Sequence, residues 1–146
     1  MNNLFRSLSL SALLYGSCIA TDAATHRLTI SELKKLLESQ GFSGGFEDRI
    51  RISRMGQMNC AGSRLQVYYY TWEQMHTPYH AAYRVLFLNE SNIYLGQYKV
   101  SDKPNLLNSN KLVFPHAESD GNSIECDQNG LPQSVLADDQ NLILFK

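Results

Sequence analysis

The residues predict a single α+β domain: one N-terminal helix packed on a mostly antiparallel curved sheet, or half-barrel, of about six to seven short strands. Three observations predict it. Apolar residues recur with the helical period only between about residues 30 and 40. Past Gly44-Gly45 the spacing shortens to the strand period of two. Turn residues then divide the remaining chain into short β-branched and aromatic runs, with no internal repeat.

The helix is expected over Ile30 to Gln40. Thr29-Ile30-Ser31-Glu32 is a capping box, in which the Thr29 hydroxyl accepts from the Glu32 amide and the Glu32 side chain reaches back to the Thr29 amide. Leu28 and Leu33 sit where a hydrophobic staple closes. Ile30, Leu33, Leu36 and Leu37 form one apolar stripe, with Lys34, Lys35 and Glu38 turned outward and Gly41 placed to end the helix.

Strand character follows at Ile50 and Ile52, which alternate with Arg49 and Arg51, with Arg54 just beyond. Arg64 to Trp72 is β-branched and aromatic, and the loop Glu73 to Tyr79, containing Pro78, closes it. Ala82 to Leu88 and Ile93 to Val100 flank the turn Asn89 to Asn92 as an antiparallel hairpin. Shorter strands are expected at Lys111 to Phe114 and Ser123 to Asp127, and a last hairpin at Gln133 to Ala137 and Leu142 to Phe145.

The domain is expected to begin near residue 25. Met1 to Ala24 carries only Arg6 as a charge before Asp22, and Leu8 to Ala20 is apolar and rich in small residues. That run suits the core of a cleavable secretory signal peptide and is shorter than the roughly 20 residues of a membrane span. Cleavage between Ala20 and Ala24 leaves residues 25–146 as one exported domain, periplasmic or secreted, and the look of the leader favours a bacterial envelope. Gly16-Ser17-Cys18 offers a lipid-accepting cysteine, but Tyr15 stands where such sites want an aliphatic residue, so a soluble form is expected rather than a lipid anchor at Cys18.

Without Cys18 the exported domain keeps Cys60 and Cys126. An even count in an oxidising compartment points to a bridge, with two buried free thiols as the alternative. Charge is uneven: residues 25–100 hold nine Lys/Arg against six Asp/Glu, and residues 101–146 three against seven. An acidic C-terminal third argues against nucleic acid as a partner, since that needs a clustered basic face.

No constellation announces catalysis. His76 and His80 are four apart, but Pro78 lies between them and no Glu follows the first, so they do not make a helical zinc motif. Cys60 in Asn59-Cys60-Ala61-Gly62 serves as a nucleophile only if reduced and near His76, His80 or His116. Serine lacks a Gly-x-Ser-x-Gly elbow. Asp138-Asp139 and Glu125 with Asp127 are paired carboxylates, and Asp120-Gly121-Asn122 and Asp127 to Gly130 supply oxygen donors, but turn chemistry explains them without a glycosidase or a calcium loop. No metal and no cofactor is expected.

The aromatic run is the more telling feature. Tyr68, Tyr70 and Trp72 share one strand face and Val67, Tyr69 and Thr71 the other. Either both faces are packed, or one shows rigid amphipathic rings to a partner. The second reading assigns partner contact to Tyr68, Tyr70, Trp72, His76 and Tyr79, in and before the loop Glu73 to Tyr79, and also to the turn Asn89 to Asn92; Asn89-Glu90-Ser91 is a glycosylation acceptor only in a eukaryotic route. Two functions follow: an exported non-enzymatic protein that binds a protein partner, of inhibitor or immunity type, or a small secreted hydrolase with a dispersed site around His76, His80, Asp138 and Asp139. The residues favour the first.

Overall fold

The computed structural model describes residues 28–42, 44–45, 49–74, 80–107, 109–115, 122–137 and 140–146. The leader expected at residues 1–24, His76, Tyr79, His116, Asp120-Gly121 and the pair Asp138-Asp139 lie outside them. Helix α1 (Ile30–Ser39) opens on the expected capping box: the Glu32 amide donates to the Thr29 hydroxyl at 3.3 Å, and the Thr29 amide donates to the Glu32 carboxylate at 2.8 Å. Its end is a Schellman turn. Gly41, at φ 82°, lets the Phe42 amide donate to the Leu37 carbonyl at 3.0 Å and the Gly41 amide to Glu38 at 3.4 Å.

Strands β1 (Ile50–Cys60), β2 (Ser63–Gln74), β3 (His80–Leu88) and β4 (Tyr94–Val100) form one antiparallel meander in the order β1-β2-β3-β4. Helix α1 covers one face. Leu33 and Leu37 pack there on Ile50, Ile52, Tyr68, Tyr70, Leu86, Leu88 and Tyr94, and Phe42 sets its ring edge-on to Tyr70 and Tyr94 at 5.3 and 5.9 Å. Ile30, expected in the apolar stripe, is 44% exposed instead, because it precedes the turn that meets the sheet.

The opposite face is covered by two small sheets. Strands β5 (Asn105–Leu107), β6 (Lys111–Val113) and β7 (Ser123–Glu125) form one; β8 (Ser134–Ala137) and β9 (Gln140–Ile143) form the other. Leu112, Phe114, Ile124, Ala137 and Leu142 from this layer bury Val67, Tyr69, Val85, Phe87, Tyr98 and Val100. Every pairing among these strands is antiparallel. The α+β reading therefore holds, but the architecture is a helix, a four-stranded sheet and a second β layer. It is not one curved half-barrel of six to seven strands: the described residues hold nine strands in three sheets. The chain buries both faces of its main sheet by adding layers, so the sheet has no need to curl.

A bulge in β1 makes the second layer possible. Ile50, Ile52 and Arg54 pair with Trp72, Tyr70 and Tyr68 on the helix side; after the register shift, Gly56 and Met58 pair with Val67 and Leu65 on the other. The same sequence parity thus serves two cores. The Cys60–Cys126 disulfide closes the arrangement, tying the end of β1 to the exit of β7 across 66 positions, with Cα atoms 5.1 Å apart. A bond of this kind is typical of proteins outside the cytoplasm. No helix among the described residues is long and apolar enough to cross a membrane.

Candidate functional site

The aromatic run divides between packing and surface. Tyr68 and Tyr70 are only 2% and 1% exposed, so they serve the helix-side core, as placed, and show no ring to a partner. Their hydroxyls are spoken for: Tyr68 donates to Gln66 Oε1 at 3.0 Å and Tyr70 to the Gly45 carbonyl at 2.9 Å. Trp72 is half-buried near the end of β2, beside the helix-side core. His80 is exposed at the start of β3, paired with Gln74, and the intervening residues 75–79, including His76 and Tyr79, are outside the described residues. On the second face Tyr69 stacks on Tyr83 at 6.4 Å under the Lys103 ammonium.

The Asn89 to Asn92 turn is stiff. The Asn89 carboxamide oxygen accepts from the amides of Ser91 and Ile93 at 3.0 and 2.9 Å, and Asn92, at φ 60°, accepts on its side chain from Gln66 Nε2 at 2.7 Å.

The acidic candidates are engaged locally. Glu125 meets the Lys111 ammonium at 2.7 Å, and that hydrogen bond holds its carboxyl below the usual carboxylate range, the wrong direction for a general acid. Asp127 accepts from the Asn129 amide at 2.6 Å inside a tight turn closed by paired Asp127 and Gly130 main-chain bonds. Among the described residues no three His, Cys, Asp or Glu side chains gather as a metal site requires.

Arg84 was hidden in an apolar run and proves central. Its guanidinium lies 5.7 Å from the Phe42 and Tyr70 rings and 5.8 Å from Phe145, and Nη1 donates to Gln97 Oε1 at 3.1 Å. Gln97 in turn exchanges main-chain bonds with Phe145 at 2.8 and 3.1 Å. The C-terminal segment is thereby joined to the open edge of β4.

Two surfaces carry the features a ligand would use. The first is the outer face of β8 and β9. Val135, Ala137 and Leu142 point inward, so by strand alternation Leu136 and Ile143 share the outer face, where they are 74% and 59% exposed. Consecutive Val135-Leu136 in a strand with one solvent face must expose one of the pair, which is the signal in the residues that marks this surface. The second is a groove of about 680 Å³ between the first turn of α1, the β1 bulge and β5, lined by Leu28, Ile30, Arg54, Met55, Gly56, Gln57, Tyr68, Leu106 and Ser109. Compared with known proteins, the chain matches no family, no curated protein and no solved structure.

Proposed function

We propose that the chain is an exported, non-enzymatic binding protein that captures a protein partner on the outer face of the β8–β9 hairpin, acting as an inhibitor or immunity-type protein on a cell-envelope or secreted target. One observation carries the reading: Leu136 and Ile143, at opposite corners of the β8–β9 outer face, are largely exposed on a hairpin whose inner face is fixed in the core, with the Ser134 hydroxyl donating to Asn141 Oδ1 at 2.6 Å across the other diagonal. Two large exposed aliphatic side chains on one face of a supported hairpin, with the polar Ser134 and Asn141 between them, suit the mixed apolar and polar make-up of a docking surface. Asp138 and Asp139 link the two strands, and residues 101–146 are acidic overall, so the partner offers an apolar patch with a basic rim. Trp72, with His76 and Tyr79 a few residues on in the sequence, is the second contact in this reading. The disulfide supports export.

The test uses the oxidised protein as bait in cell-envelope and culture-medium extracts, beside a Leu136→Glu/Ile143→Glu variant. Both positions are exposed, so the fold survives the change. A stoichiometric partner held by the parent and lost by the variant supports the reading; a partner held equally by both removes the hairpin from it.

A further inference from the structure

We infer that the groove beside the β1 bulge binds a free amphiphilic anion, its carboxylate or phosphate head on Arg54 and its apolar portion along Leu28, Ile30, Met55 and Leu106. The period of β1 places Arg54 on the same side as Ile50 and Ile52, across from Tyr68, so a guanidinium occupies a core-facing position. It is half-buried, its Nε is closed off from solvent and makes no hydrogen bond, and none of the ion pairs among the described residues includes it; these join Arg64 to Glu90 and Lys111 to Glu125. Glu32, the acid in the first turn of the helix, is engaged in the cap, accepting from both the amide and the hydroxyl of Thr29 at 2.8 Å.

Arg54 lines the groove with its charge only partly hydrated and no carboxylate paired to it among the described residues, and an anionic ligand there offsets the lost hydration. The walls select the rest of the ligand. Ile30 is 44% exposed at the groove's rim although it belongs to the helix's apolar stripe, and Leu106 approaches so near the bulge that a Cβ on Gly56 would lie 2.8 Å from its Cδ2. A small inorganic anion would satisfy Arg54 and leave these side chains wet. An amphiphile covers both, and about 680 Å³ is within the range of small-molecule sites. This site is separate from the β8–β9 face and stands or falls independently of the partner reading.

The experiment is an NMR chemical-shift titration of the oxidised protein with decanoate, 1-decanol, inorganic phosphate and phosphatidylglycerol vesicles. Decanoate is expected to saturate, moving the amides of Ile30, Met55, Gly56 and Ser109. Arg54→Gln should weaken it about tenfold, to the level of decanol, as loss of a charge-assisted bond implies. Ile30→Glu, an exposed change that leaves folding intact, should weaken decanoate as well, and keeps the test decisive if Arg54→Gln does not fold. Equal decanoate affinity in the parent and either folded variant, no saturation, phosphate binding as tightly as decanoate, or binding to vesicles alone would each overturn the proposal.

Discussion

The Gln40 side-chain oxygen accepts a hydrogen bond from the Tyr94 main-chain amide at 2.6 Å, while its Nε2 donates to the Asn92 carbonyl at 3.2 Å. The residue that caps α1 therefore also clamps the start of β4, 54 positions away. Removing the side chain leaves a partly buried amide and carbonyl unsatisfied. Gln40→Ala should cost about 1–3 kcal/mol, read as a lower urea midpoint with unchanged slope.

The disulfide closes a loop of 66 positions, so its loss should release roughly 4 kcal/mol of loop-closure entropy to the unfolded chain. Urea unfolding with and without reductant measures this, and Cys60→Ser/Cys126→Ser should match the reduced parent. Two buried thiols that pack equally well without the bond would show no difference.

Gly96, at φ 152°, faces the C-terminal segment: a Cβ there would lie 3.1 Å from the Phe145 carbonyl and 3.0 Å from Leu144 Cδ1. Because main chain is one of the obstacles, Gly96→Ala should cost about 1–3 kcal/mol and speed hydrogen exchange at the Phe145 amide, which bonds Gln97.

Burial pushes the Tyr94 and Tyr98 phenols well above the usual phenol range; the Arg84 charge offsets this slightly at Tyr94, and Asp127 adds to it at Tyr98, whose hydroxyl donates to the Pro132 carbonyl. A raised folded value keeps protons on the native state that the unfolded chain releases near pH 10, so stability is whole below about pH 10 and falls as pH rises beyond it. A phenolate absorbance titration should leave at least two tyrosines, Tyr94 and Tyr98, ionising only on unfolding.

Glu125 behaves oppositely. The hydrogen bond from Lys111 depresses its carboxyl, so its contribution is present above the usual carboxylate range and is lost as pH falls through the lowered value. The pair is exposed, so Lys111→Met should cost only about 0.2–1 kcal/mol at neutral pH while moving the Glu125 titration up in a carboxyl NMR series.

Local chemistry was legible where it is self-contained. Thr29, Glu32 and Gly41 mark the helix, observed as Ile30–Ser39, and Asn89 to Asn92 mark the β3–β4 turn. What depends on distant contacts was not. The length of β1 is obscured because the bulge after Arg54 sends one parity of residues to two different cores, and β5 is three residues behind Pro104. The tyrosines of β2 carry no mark of which face is covered; the helix covers Tyr68 and Tyr70, and the short sheets cover Tyr69. Arg54 follows the period of Ile50 and Ile52, yet its position only gains meaning once α1 and β5 flank it.

The measurement that bears most directly on the proposed binding function is hydrogen–deuterium exchange on the oxidised protein, free and in complex with the captured partner. The account predicts slowed exchange concentrated in residues 134–143. Protection confined to residues 73–80 around Trp72, or spread evenly over the chain, would contradict the hairpin as the docking face.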